Sequence, residues 1–489
     1  MSALVVADLC ALPGARLLFG DPSTALDGVT TDTREPDIRG KLYVALKGER
    51  QDGHDHLVGA MEAGVSAVLI SSRSAAEAMK RRSPDRTVSA VCVPDTLAAL
   101  GDLARMYRTR LGVKIVAITG SNGKTSVKDF LAAILSTTYN TVSAVRSFNN
   151  NIGVPLTILR MTSNTQVGVL EMGMNHPGEL SALCRIADPD LVAITSIAPA
   201  HIGFFRSVRS VAKAKAEILT ASRAGIPAFL PADSEFLPLF RRLAKDKQMM
   251  TFGSGPESGW RVRPIKDDMR SMTFSVESAS WDTGARKSRR PGKNHFTSPN
   301  FGEHQLSNLL LAVAISHTFS VPLKKIRAAV SKLNLPPGRG RVIPFGRHVI
   351  VDDSYNANPT SMSAAIDRIR ALHRMLCHRG PRRDMVLVLG DMLELGDKSA
   401  HYHRELGRQA ARARPWRFIF AGNMGDQVWR GFKEGGGEVR QFVVLPCGQE
   451  CLQAIRSMME TKKKMILLFK SSHQVRLNLV IETLCQNKN

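Results

Sequence analysis

Short apolar runs recur along most of the chain, and between them the apolar positions fall into helical spacing. Within residues 1–112, runs at 41–46, 67–70 and 88–93 read as strands, and the alanine-rich stretch 95–110 reads as a helix, which makes a small α/β unit. From 113 to about 333 the apolar runs alternate with helical segments, the pattern of buried parallel strands joined by crossover helices. The breaker-rich NLPPGRGR at 334–341 is a joint. Beyond it HVIVDD, DMVLVLGD, RFIFAGN and MILLFKSS repeat the alternation to residue 489. The pattern predicts an α/β protein of three domains, 1–112, 113–333 and 334–489.

Polar residues at the ends of these runs carry the chemistry. VKIVAIT ends in Gly120, Ser121, Asn122, Gly123, Lys124 and Thr125; VGVL ends in Glu171; LVAIT leads to Ser196 and His201; HVIV ends in Asp352 and Asp353; MILLF ends in Lys470. Open parallel sheets bind ligands beyond the carboxyl ends of their strands, so these residues are candidates to line one or two clefts. The turn at 120–126, ending in Ser126, suits phosphate. Glycines let backbone N–H groups approach oxygen, the helix N-terminus adds positive potential, Lys124 neutralises charge and Thr125 can hold Mg²⁺. A strict Walker loop needs glycine at 118, where Ile118 stands, so a plain strand-to-helix turn remains the other reading. Glu171 suits Mg²⁺ as a hard oxygen ligand; His201 fits either as a ligand or as a satisfied structural residue. In VAKAKAEIL (211–219), Val211, Ala214, Ile218 and Leu219 form one arc that contains Lys215, while Lys213 lies opposite. An inward ammonium needs an anion, a covalent change, or a path to the surface.

Composition narrows the class. A chain of 489 residues is long enough for roughly two to four domains. No apolar run reaches the ~18 residues of a spanning helix, and the first twenty residues lack a basic n-region, so a cytoplasmic protein without stable membrane insertion is expected. Seven cysteines without paired ligand spacing fit free thiols in a reducing compartment. Lys and Arg number 67 against 43 Asp and Glu, a net charge of +24, which invites nucleic acid, acidic lipid or a phosphorylated substrate. No aromatic ladder accompanies the cations, and a stacking platform for single strands is not visible.

The segments GSNGKTSVKD (120–129), NNNIGVPLTIL (149–159), EMGMNHPGEL (171–180), PAH (199–201), AKAKAEI (212–218), GEHQLSN (302–308), DDSYNANPTSM (352–362) and GDMLELG (390–396), after TDTR (31–34) and GKLYVALKGERQDGH (40–54), resemble the Mur ligases in order and over nearly the whole chain. They are most similar to the member that joins D-alanyl-D-alanine to UDP-N-acetylmuramoyl-tripeptide in peptidoglycan precursor assembly. The resemblance implies a uridine-diphosphate domain first, using Asp32, Thr33 and Arg34. It implies a central P-loop-type ATPase domain, binding ATP on Gly120 to Ser126, and a C-terminal Rossmann-like domain. It implies Glu171 and His201 as magnesium ligands, Lys215 as a carbamylated lysine serving a second Mg²⁺, and His304 and Asn308 on the adenine side. Arg339 and Asp353 are implied to reach ATP from the third domain, Asn356, Asn358 and Pro359 to shape the side that receives the dipeptide, and Lys470 to be a further substrate residue.

The implied reaction activates the terminal carboxylate of the tripeptide as an acyl phosphate, which the dipeptide amine then attacks. The implied partners are those two substrates, with no nucleic acid, on a monomer. The chain departs from the family pattern at ITSIAPAHIGFFRS (194–207) and at Lys470-Ser471-Ser472-His473, where the family reads KGSR. Histidine cannot supply the bidentate fork of a guanidinium, which leaves a degenerate, ATP-binding scaffold as one alternative. A basic, nucleic-acid-dependent ATPase is the other.

Overall fold

The computed structural model describes residues 4–49, 51–72, 88–145, 147–200, 202–205, 207–268, 271–281, 292–299, 302 and 305–486. Three main sheets form three α/β units. The first has five strands, with Val29–Thr30, Leu42–Val44, Ala67–Ile70 and Ser89–Cys92 parallel and Arg16–Phe19 antiparallel at one edge. A two-stranded ribbon, Leu4–Val5 with Ala25–Leu26, lies beside it. Helix Thr96–Leu111 follows the last strand. It starts where Asp95 accepts hydrogen bonds from the N–H groups of Leu97 and Ala98, and stops at Gly112 in the left-handed region, φ 63°.

That helix belongs to two domains at once. Tyr107 Oη donates to the Met161 carbonyl at 2.9 Å, and buried Arg108 donates to the carbonyls of Ala187 and Asp188 and to the Asp190 carboxylate. A buried guanidinium is tolerable because it meets several acceptors at once. The core beneath it runs unbroken from Leu42 and Leu69 in the first sheet to Ile115 and Ala117 in the second.

The central sheet has nine strands, and its inner strand Lys114–Thr119 is flanked by Leu191–Ile194 and Val167–Glu171. Strand alternation divides its side chains. Ile115 and Ala117 face the first-domain helix, while Val116 and Ile118 face helices Lys124–Leu135 and Leu306–Thr318. The sheet is not parallel throughout, contrary to the pattern expected over 113–333. Trp260–Asp267, Ser271–Ser278 and Gly292–Pro299 pair antiparallel at one edge. The physical reason is that an edge ribbon half-open to water needs only alternate apolar positions, as in Ser271–Ser278, whereas a parallel strand must be buried on both faces.

The third sheet carries the order Arg341–Phe345, His348–Asp352, Met465–Lys470, Asp384–Gly390, Arg417–Ala421, Phe442–Leu445, parallel except for its first strand. All seven cysteines are free thiols. Among the described residues no helix is long and apolar enough to cross a membrane.

Candidate active site between the second and third domains

The turn 120–123 connects strand Lys114–Thr119 to helix Lys124–Leu135, and two of its positions require glycine. At Gly120, φ 146°, a Cβ would stand 1.9 Å from Thr195 Oγ1; at Gly123, φ 86°, it would stand 2.3 Å from Asn308 Oδ1. Asn308 is thereby held against the end of the phosphate turn, where helix Lys124–Leu135 begins. Ser121 Oγ donates to the Ala198 carbonyl, and Asn122 N–H donates to Ser196 Oγ. Ser196, a departure from the family pattern, thus braces the turn with its side chain, and Ala198 with its backbone. Ser126 is buried behind it.

Lys124 Nζ folds back onto the Gly120 carbonyl at 2.8 Å. Desolvation lowers its pKa from 10.5, offset by Glu171 and reinforced by Arg339. Thr125 Oγ1 donates to Glu171 Oε2 at 2.8 Å, and Asn149 Nδ2 donates to the other carboxylate oxygen at 2.8 Å. Glu171 is 1% exposed, at the end of its strand. Helix Val208–Lys215 starts three residues before the arc read from sequence and breaks at Ala216, with Glu217–Thr220 continuing as a separate turn. The face assignment is as read: Lys215 is 1% exposed and Lys213 lies in solvent. Burial holds the Lys215 pKa well below 10.5, Lys124 depresses it further, and Glu171 opposes that fall. The three charged groups therefore share one locality. His201 and His304 lie outside the described residues.

The third domain closes over this turn. Arg339 Nη2 donates to Thr125 Oγ1 at 3.0 Å, and its guanidinium lies 3.9 Å from the Tyr355 ring centroid. Tyr355 Oη donates to Ser147 Oγ at 2.5 Å. Asn358 caps helix Pro359–Arg379 with Oδ1, accepting from Ser361 N–H, and its amide donates to Asn122 Oδ1 at 2.6 Å. Lys470 Nζ, 3% exposed, bonds Asp353 Oδ2 at 2.7 Å and the Asn356 carbonyl at 2.9 Å. Gly203 stands where the two domains approach closely: its N–H donates to the Glu394 carbonyl, and a Cβ there would meet Gly396 N at 2.8 Å.

These groups wall a cavity of 770 Å³, with the phosphate turn, Glu171 and Asn308 on one side and Arg339, Asp353, Asn356, Asn358, Lys470 and His473 on the other. Lys215 lies beneath the cavity wall rather than in it. Asp32, Thr33 and Arg34 are not brought to the cavity. They sit in the first domain after strand Val29–Thr30, where Arg34 clasps the Asp32 carboxylate in two hydrogen bonds and lowers its pKa to about 2. Ser147 falls outside the family-like motifs, whereas Tyr355 lies within DDSYNANPTSM (352–362) without a role assigned to it there. Asn149 is legible only as part of the asparagine run at 149–151.

Three α/β units with a phosphate turn capped by the last of them define a multidomain nucleotide-dependent enzyme. Family models match in the same order: the Mur ligase family catalytic domain at 26–108, the Mur ligase middle domain at 118–316, and the Mur ligase glutamate ligase domain at 338–473. The UDP-N-acetylmuramoyl-tripeptide--D-alanyl-D-alanine ligase of Bacillus subtilis is 33% identical over 95% of this chain and 94% of its own. The enzyme of that name from Escherichia coli is 35% identical over 79% of each chain. A crystal structure of MurF from Acinetobacter baumannii superposes over the whole of both chains with a TM-score of 0.83 and 27% identity. The chain belongs to the Mur ligase family.

Proposed function

We propose that this protein joins D-alanyl-D-alanine to UDP-N-acetylmuramoyl-tripeptide with ATP, through an acyl phosphate. The observation that carries the reading is a cavity in which Lys124, Thr125 and Glu171 face Arg339, Asp353 and Lys470 across two domains. The backbone of 120–123 and Lys124 hold the β and γ phosphates, and Arg339 meets the same region from the other wall. Asn308 lies toward the adenine, and Asn356, Asn358 and Lys470 toward the incoming dipeptide. Asp32, Thr33 and Arg34 hold the uridine-diphosphate end, the part of the substrate remote from the bond that forms.

The donors present fit Mg²⁺. Among the described residues no cluster of three His, Cys, Asp or Glu exists, yet magnesium ordinarily takes only one or two carboxylates and completes its shell with phosphate and water. Thr125 Oγ1 and Glu171 are such a hard-oxygen pair at 2.8 Å. Bound magnesium would screen the repulsion between carboxylate and triphosphate. His201 is assigned as a further ligand. Lys215, pushed toward its neutral form by burial, is the amine that adds to CO₂ with loss of a proton, giving a carbamate able to serve a second magnesium. Closure of the third domain excludes water from the acyl phosphate.

ADP release with UDP-N-acetylmuramoyl-tripeptide, with and without D-alanyl-D-alanine, together with the mass of the product, tests the reading. Dipeptide-dependent turnover and a pentapeptide product are expected; ATP binding without product would instead establish the scaffold reading that His473 invites.

A further inference from the structure

The cavity occupies the carboxyl edge of the third sheet, and the opposite edge has a character of its own. The segments that lead into its strands, 345–348, 380–384, 412–417, 435–442 and 460–465, carry ten Lys and Arg side chains and three carboxylates. Only two of the cations there, Lys463 with Asp384 and Arg440 with Glu438, form ion pairs among the described residues. Others bond neutral groups. Arg347 donates to the Met459 carbonyl, Arg383 to the Arg347 carbonyl and Arg417 to the Arg440 carbonyl.

These contacts make the array continuous across the sheet edge. Lys463 Nζ lies 4.2 Å and Arg417 Cζ 5.6 Å from the ring centroid of half-buried Trp416. Beside them Val439 is 74% exposed, the most exposed large apolar side chain of the described residues. A cationic edge with one protruding aliphatic group matches the surface of a bilayer with anionic headgroups. Nucleic acid fits less well, because the indole face at this edge is already covered by cations and so is not open to a stacking base.

We propose that the amino edge of the third sheet docks peripherally on an anionic membrane surface. Strands of five to seven residues separate that edge from the cavity by roughly 20 Å. A docked enzyme thus keeps its cleft open to water. The surface also gives the excess of positive charge a role that substrate attraction alone does not.

The full-length protein is floated with phosphatidylcholine vesicles, with and without phosphatidylglycerol, at low and high salt. Binding is expected only with phosphatidylglycerol and is expected to vanish near 1 M salt, where the screening length falls to ~3 Å. The triple variant R383E/R414E/K462E touches nothing in the cavity. It is expected to lower vesicle partitioning by about a hundredfold or more, with ligase turnover in solution unchanged. Equal flotation with neutral vesicles, equal binding by the variant, or tighter binding to an RNA of matched phosphate concentration would each overturn the proposal. Flotation is read without the enzymatic assay, so the outcome is separable from that of the ligase reading.

Discussion

Lys124 and Lys215 are both desolvated, but their surroundings give them different work. Lys124 caps the Gly120 carbonyl in the cavity wall, so K124A removes the cation of the phosphate turn itself and leaves Arg339 on the opposite wall. Turnover should fall by at least about a hundredfold, whereas K213A, at a solvent-exposed position on the adjacent helix, should stay within about twofold. Steady-state rates of the two variants check both statements; comparable losses would contradict the assignment of the helix faces. K215A removes the carbamate precursor rather than a phosphate contact. Its activity should return in part with added formate or acetate, and dose-dependent recovery in the ADP assay is the measurement. At position 473 the exposed imidazole lies 5.4 Å from the Tyr355 ring on the cavity wall. H473R restores a bidentate fork there and is expected to lower KM for D-alanyl-D-alanine several-fold while leaving KM for ATP unchanged.

At the scale of elements, the loop 391–396 connects the third sheet to the second domain, and a buried histidine fixes it. His403, on helix Ser399–Arg412, accepts from the Met392 N–H through Nε2 at 3.0 Å, and its Nδ1 meets the Ser399 carbonyl at 2.8 Å. Burial holds its pKa below 6.5, with the Ser399 carbonyl and Asp391 opposing. Well above pH 6.5 the ring is neutral in folded and unfolded chains, and stability does not depend on it through pH. As pH falls below 6.5 the unfolded chain takes up a proton that the folded chain refuses, so stability declines through that window. Thermal melts from pH 7.5 to 5 should show this decline, and it should be shallower in H403Q, which keeps hydrogen-bonding capacity without a titrating ring.

The elements themselves are largely legible in sequence. Ala67–Ile70, Thr96–Leu111 and the phosphate turn are specified by local signals: an apolar run, an aspartate cap, glycines before a lysine. The inward face of the Lys215 helix is legible from spacing alone, although its break at Ala216 is not. The ribbon at 260–299 reads as more parallel sheet only while the alternation of Met272, Phe274 and Val276 with polar residues is passed over, the period-two signal that separates it from a strand buried on both faces. Ser147 with Tyr355 and Thr125 with Arg339 are hidden for another reason. Their partners are 208 and 214 residues apart, and no local pattern encodes a contact made only when two domains meet.

Whole-molecule behaviour turns on how firmly that meeting is held. The third domain is fastened to the phosphate turn by Arg339 to Thr125, Asn358 to Asn122 and Tyr355 to Ser147, with Gly203 against Glu394 farther out. Each neutral bond contributes about 1 kcal/mol net, small beside a domain's stability but large for an opening equilibrium. Removing two shifts that equilibrium by about 2 kcal/mol, roughly thirtyfold. In N358A/Y355F the amide at the helix start and the phenolic hydroxyl are both removed while Lys124, Thr125 and Glu171 are untouched. The phosphate turn should therefore still bind nucleotide, and what is lost should be the time spent closed. Small-angle scattering of this variant should give a larger radius of gyration than the parent, with kcat reduced about tenfold or more and nucleotide affinity within a few-fold. A parent-like radius with a parent-like kcat would mean that the apolar contacts around Ile202, which pack into the third-domain core, hold the domains together without the polar latch.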